Sequence, residues 1–317
     1  MAGFIRYEQA PVSMKIGSGT ACELLATTAT AGENLPLTAV RALGYNGAVA
    51  VTSNGPVDGS FSVTYHIVKE KMPNANCRSG AEVPSGCDNF FGPASATDKD
   101  FVMARSFANP LTMNVAGTDL FTNGIANSFT ITAEPNAIIT ATLGGNYFDC
   151  RMAPNGGSLS PQATKDGVGD FAVAHGSTSS SNSTGLGFSC DPFTATYESS
   201  RGFNPIFSLG KLSAIMVMIT DPQQSVSLQG ENIPKSVLTD GEGSSTDCET
   251  LTNALCLSKT DIAFNIKDVC NNPLASYAVC GFVASRDIEV AENDVLRGNI
   301  TVTDYTFPQE VDTVECE

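Results

Sequence analysis

Two stretches of the chain, Phe129-Thr-Ile-Thr-Ala-Glu-Pro-Asn-Ala-Ile-Ile-Thr-Ala-Thr-Leu143 and Asp287-Ile-Glu-Val-Ala-Glu-Asn-Asp-Val-Leu-Arg-Gly-Asn-Ile300, read as versions of one strand, turn and strand. Deleting Pro135 aligns Ala133, Glu134 and Asn136 with Ala291, Glu292 and Asn293, and then Ile138, Ile139 and Leu143 with Val295, Leu296 and Ile300. Aromatic tails, Tyr147-Phe148 and Tyr305-Thr-Phe307, follow at similar distances. The repeat decides the fold, because a duplicated unit divides into two small domains a chain whose length alone also allows one large one.

Working outward, both halves carry the same order of elements. In the first half, Gly47-Ala-Val-Ala-Val-Thr52 and Gly59-Ser-Phe-Ser-Val-Thr-Tyr-His-Ile-Val68 are expected to form a hairpin through Ser53-Asn-Gly-Pro-Val-Asp58. Asn54-Gly55 supplies the positive φ of a tight turn, and alternation at Phe61, Val63, Tyr65 and Ile67 turns one apolar face inward. After a Gly, Pro and Asn-rich loop at 73–96, Thr97-Asp-Lys-Asp100 opens a helix of about ten residues with Phe101, Ala104 and Phe107 or Ala108 on one side. Asn109-Pro110 ends it, since a residue before proline avoids helical geometry. Strands are expected at 111–115, 128–133 and 138–143.

The second half answers with a strand at 212–220, a turn at Asp221-Pro222 and a strand at 225–229. Even the approach matches: Pro36-Leu37 and Leu43-Gly44 are echoed by Pro205-Ile206 and Leu209-Gly210. Thr246-Asp-Cys-Glu249 is a capping box for a helix carrying Leu251 and Leu255 and, on the same stretch, Cys248 and Cys256. Strands at 261–266, 275–284, 288–290 and 299–305 follow. Between the halves, residues 155–187 are dense in Gly, Ser and Thr and poor in large apolar side chains. The expectation is a mainly β (α+β) chain of two tandem β-sandwich or partial-barrel units, each with one short helix and a long hairpin. The first spans residues 1–154 with an N-terminal arm, a linker or surface loop occupies 155–195, and the second spans 196–317 with an acidic tail.

Composition agrees. Apolar residues at 42% against 16% charged suffice for a core, and sixteen prolines and twenty-nine glycines favour strands and turns over long helices. A net charge of −16 opposes binding to phosphate backbones, which needs clustered Lys and Arg. The acidity is strongest over 245–317, read either as a solvated face or as a surface that repels polyanions. The first residues show no basic head and apolar core, so the chain is expected to be made in the cytoplasm, and no apolar run is long enough for a membrane helix.

Chemistry is scarce. Two histidines, His66 and His175, and the lack of Cys-x-x-Cys argue against a zinc site, and the ten cysteines are expected to be buried free thiols, with loop disulfides formed in an oxidising medium as the alternative. Cys77 and Cys87 bracket one loop and Cys270 and Cys280 another. Asp240-Gly-Glu-Gly-Ser-Ser-Thr-Asp247 offers oxygens at alternate positions but lacks the distal glutamate of a calcium loop. Glu134 and Glu292 recur at the repeated turn and read as solvated turn residues. Phe188-Ser-Cys-Asp191 only superficially resembles a nucleophile motif. No enzyme activity, cofactor or metal is expected.

The segments Gly47 to Val68, Phe129 to Leu143, Leu212 to Gln229 and Asp287 to Tyr305 together resemble the tail-tube fold of bacteriophages, of the duplicated type. The likeness covers about half the chain and rests on element order rather than on a diagnostic motif. It implies a virion structural protein whose copies polymerise into stacked rings around a DNA-conducting channel. Its partners would be itself, in trimeric rings with pseudo-six-fold symmetry, other tail proteins, and DNA that passes without specific binding. Assembly would occur in the host cytoplasm, the final location would be the virion tail, and no membrane would be involved. The candidate channel or inter-subunit hairpins would be carried by Val49, Val51, Asn54, Gly55, Phe61 and Val63, and by Ile215, Val217, Ile219, Val226 and Leu228. A baseplate hub or tail adaptor with two tube-like domains, and a β-rich decoration or adhesin protein, remain as alternatives.

Overall fold

The computed structural model describes residues 10–53, 58–70, 87–91, 101–115, 118–134, 137–148, 171–173, 180–182, 194–209, 214–231, 260–267, 273–289, 297–305 and 313–315. The fold is mainly β and antiparallel. The first half contains β1 (Val12–Ile16), β2 (Cys22–Leu24), β3 (Ala26–Asn34), β4 (Leu37–Arg41), β5 (Ala48–Ser53), β6 (Asp58–His66) and β7 (Val68–Glu70). One helix among the described residues, α1 (Val102–Ala108), precedes β8 (Leu111–Val115), β9 (Thr118–Ala133) and β10 (Thr140–Tyr147). The second half contains β11 (Phe171–Val173), β12 (Ser180–Asn182), β13 (Thr194–Ile206), β14 (Met216–Glu231), β15 (Thr260–Lys267), β16 (Pro273–Glu289), β17 (Arg297–Asp304) and β18 (Thr313–Glu315).

Alternation of apolar side chains makes these strands. In β6, Phe61, Val63 and Tyr65 point into the core while their neighbours face outward, and in β13 Ala195 and Tyr197 do the same. One sheet of 14 strands runs in the order β12-β15-β16-β17-β14-β13-β9-β10-β6-β3, with β1, β2, β8 and β18 as side branches. This sheet curls over itself. Phe129 on β9 stacks on Tyr277 of β16 with ring centroids 6.5 Å apart, although β13, β14 and β17 separate the two strands within the sheet. The main core cluster accordingly takes side chains from both halves, from Met14, Val63 and Phe129 to Tyr197, Tyr277 and Val302.

The same arrangement of strands occurs twice. The order β1-β8-β9-β10-β6-β3 in one half corresponds to β12-β15-β16-β17-β14-β13 in the other. Registers agree as well. One offset carries Thr140↔Thr132 to Arg297↔Glu289 and Leu143↔Phe129 to Ile300↔Arg286, and the bulge opposite Gly144/Gly145 recurs opposite Thr301/Val302. Followed across the sheet, the row Thr30, Ser62, Gly144, Ser128 corresponds to Thr196, Ser227, Thr301, Ser285. The ladders need no deletion at Pro135, so the one-residue gap in the sequence alignment is corrected. The bulge and turn lengths, not the Ala-Glu match, set the register.

Several local expectations are also corrected. Strands β5 and β6 both exist, but they do not pair with each other. β5 pairs with β4 and β6 with β3, so residues 26–66 form one long hairpin whose tip is Ala42 to Gly47. Gly44 (φ 89°) and Gly47 (φ 130°) supply the positive φ values that the expected turn had assigned to Asn54-Gly55. Asn54 and Gly55 themselves lie outside the described residues. Asp221-Pro222 is not a turn either. β14 runs straight through it, with Gly202↔Thr220 followed by Ser200↔Gln223, and Asp221 at φ 47° absorbs the irregularity as a bulge. A proline without an N–H is tolerated at such a point.

The helix 102–108 ends at Asn109 as expected, and β8 covers 111–115. Within the stretch 155–195, β11 pairs with β7, β12 pairs with β15, and β13 already begins at Thr194. Cys87 is not a free thiol but is disulfide-bonded to Cys22, across 65 residues. That bond fastens the 3-10 turn Asp88–Phe90, with its buried Phe90 and Phe91, to β2. Thr97 to Asp100, Thr246 to Glu249 and the cysteines at 77, 248, 256 and 270 lie outside the described residues.

Candidate assembly surface

Strong pairing by Ala, Thr and Val builds the β4–β5 arm of the long hairpin, yet none of its positions reaches the core: every residue from 37 to 52 is exposed. Leu37, Val40, Leu43, Tyr45, Val49 and Val51 all stand in solvent, Leu43 completely and Tyr45 at 70%. These side chains make the projecting arm apolar as well as exposed. The corresponding hairpin β13–β14 closes through Ile215 N–H to Ile206 O at 2.8 Å, and it presents Leu209, Ile206 and Met218. Leu43 and Leu209, paired by the sequence as part of the approach to a strand, are therefore both at hairpin tips.

The predicted hairpin residues divide sharply. Val49 and Val51 are exposed on β5, and Ile215 and Ile219 are half-buried on β14 or just before it. Phe61, Val63, Val217, Val226 and Leu228 are buried, the first two and last two in the main core and Val217 in a smaller cluster with Ile125, Phe148 and Ala214. Their side chains face the core of the single chain. Alternation had identified the inward face of the strands, while the outward-facing Leu37, Val40, Leu43, Tyr45, Leu209 and Met218 were missed. A run of apolar residues on both faces between Leu37 and Val51 was the available signal.

Beneath the hairpins lies an aromatic core. Phe101, Phe129, Tyr197, Tyr277 and Phe264 form a continuous ring cluster with centroid separations of 4.9–6.5 Å. Buried tyrosine hydroxyls find partners: Tyr277 donates to Phe91 O at 2.8 Å, Tyr65 to Phe90 O, and Tyr197 to Gln224 Oε1 at 3.2 Å. Burial pushes the Tyr65 and Tyr277 hydroxyls well above their ordinary range, so they remain neutral donors. At the base of the long hairpin, Tyr147 donates to Gly32 O at 2.8 Å.

Arg201 ties the two halves together. It occupies the bulge of β13, where Nε donates to Ala126 O at 2.7 Å and Nη2 to Ser106 Oγ at 3.1 Å, reaching both β9 and α1. The Phe203 ring lies 5.4 Å from the guanidinium carbon, and burial lowers the Arg201 pKa to about 9. The backbone N–H of Ala126 also donates to Ser106 Oγ. Charge, planarity and fork geometry are all used here, which suits arginine and not lysine.

Chemical groups are sparse on this framework. Among the described residues, no three His, Cys, Asp or Glu side chains gather to hold a metal ion, and no helix is long and apolar enough to cross a membrane. Glu134 is exposed at the end of β9. Glu292, the 240–247 loop, His175 and the Ser189-Cys190 pair lie outside the described residues. His66, at the end of β6, has its pKa lowered by burial, and its Nδ1 has no hydrogen-bond partner. No known family profile matches the chain, and no curated protein matches it.

Proposed function

We propose that this protein is the subunit of a bacteriophage tail tube, a virion structural protein that polymerises into stacked rings around a DNA-conducting channel. The observation that carries the reading is that one strand arrangement is used twice, each time with a long hairpin whose tip, at Leu43 or Leu209, is apolar and solvent-exposed. A chain with two such units supplies two quasi-equivalent positions, so three chains would complete a ring of six. Each large apolar side chain on the β4–β5 arm gains about 1.5–3 kcal/mol if fully buried against a neighbouring subunit. Burial of several of them would offset the cost of association.

The net charge of −16 fits a conduit for a polyanion, because a negative lumen lets DNA slide without sticking. The buried aromatic cluster and the Arg201 tie fit a part whose task is stiffness. Negative-stain microscopy of the purified protein tests the proposal: hollow rings or rods with a central channel are expected. Isolated globules at high concentration would instead favour a monomeric decoration protein, and single unstacked rings a hub or adaptor.

A further inference from the structure

The twofold use of one arrangement leaves a joint that is made once inside the chain and left open once. Inside, β13 adds to the edge of β9, antiparallel, with Thr196↔Thr132, Glu198↔Thr130 and Ser200↔Ser128. Thr196 donates a hydroxyl to Thr132 across it at 3.3 Å. The counterpart of β13 is β3, which ends the sheet path. The counterpart of the accepting part of β9 is residues 285–289 of β16, which among the described residues pair only with β17. In the first half β8 and then β13 follow one another along β9, whereas in the second half β15 takes residues 273–281 of β16 and, among the described residues, no strand follows it.

We infer that β3 of one copy of this chain adds to β16 of the next, head to tail, in the register of the internal joint. The repeat fixes that register without adjustment. Thr30 falls opposite Glu289, Gly32 opposite Asp287, Glu33 opposite Arg286, and Asn34 opposite Ser285. Gly32, Asn34, Ser285 and Asp287 are exposed in the single chain, as residues of an open joint must be. Each chain then has one donor edge and one acceptor edge, a heterologous contact that propagates until the rotation closes a ring. It also covers strand edges that would otherwise template aggregation. The inference rests on the reading of the chain as a self-assembling ring subunit, and it names the surface by which copies join.

Paired cysteines test it. Gly32→Cys is accommodated, since a Cβ there meets nothing within 4 Å, and Asp287 is exposed. On oxidation, the Gly32→Cys/Asp287→Cys protein is expected to give covalent multimers on denaturing gels, as is Asn34→Cys/Ser285→Cys, while each single variant and the parent remain monomeric. Both pairs must link, because a slipped or parallel joint would link at most one. Rings by microscopy without either cross-link would overturn the joint and leave the ring reading intact. Cross-linked multimers in a sample that forms no hollow rings would support the joint and sink the tube. Neither multimers nor rings would overturn both. A failure of the double variants to fold is separated by their melting temperatures, and in that case the single variant Gly32→Pro, which blocks strand addition at the open edge, is expected to abolish multimers.

Discussion

At the residue scale, two strand bulges hold side chains or close contacts that single substitutions would disturb. Arg201 sits in the bulge of β13 and bonds β9 and α1 together, so Arg201→Met leaves Ala126 O and Ser106 Oγ without their charged donor. A loss of about 2–3 kcal/mol in urea unfolding is expected, with Arg201→Lys recovering little of it. Gly145 is required for a different reason. A Cβ there would lie 2.3 Å from Ile125 O and 2.4 Å from Phe61 Cζ, so Gly145→Ala forces backbone and ring apart and is expected to cost about 1–3 kcal/mol. His66 gives a pH signature. Burial disfavours its imidazolium, so its folded pKa lies below the unfolded value, and the unfolded chain binds more protons as the solution turns acid. Stability is therefore present above the unfolded pKa and declines as pH falls through it. Thermal melts between pH 7.5 and pH 5 should show a shallower decline for His66→Gln than for the parent. An identical slope would remove His66 from the account.

At the element scale, the long hairpin separates two kinds of apolar residue that the sequence mixes. Leu43→Asp with Tyr45→Ser should leave the melting of the isolated chain within about 0.5 kcal/mol of the parent, because both positions are exposed, yet abolish assembly. Phe61→Ala, in contrast, should cost about 3–5 kcal/mol and act on folding itself. The alternation Phe61, Val63, Tyr65 was legible in sequence because β6 is buried on one face only. The pairing was not, since the true tip at Ala42 to Gly47 carries apolar residues that obscure it. β3 was missed because Ala and Thr give it little apolar periodicity. The Cys22–Cys87 bond was hidden by its span of 65 residues and by Cys77, which lies much nearer to Cys87 in the sequence. Closing a loop of 65 residues restrains the unfolded chain, and Cys22→Ser with Cys87→Ser is expected to lower stability by about 4 kcal/mol in guanidinium unfolding. An unchanged midpoint would count against the bond.

At the scale of the whole molecule, two equivalent sets of strands share one curled sheet and one core. The repeat that first surfaced as a short likeness between 129–143 and 287–300 is carried by ladders, a shared bulge and a row of matching Thr and Ser residues. Sequence identity was faint because sheets constrain which face a residue takes more than which residue it is. What could not be read beforehand is that β13 crosses from one set to the other, since that contact joins residues far apart in the chain. The central claim is that one chain fills two of the six positions in a ring. Native mass spectrometry of rings released from assembled rods tests it most directly. The account predicts a closed species of three chains, whereas a six-chain ring, or a chain that stays monomeric at every concentration, would contradict it.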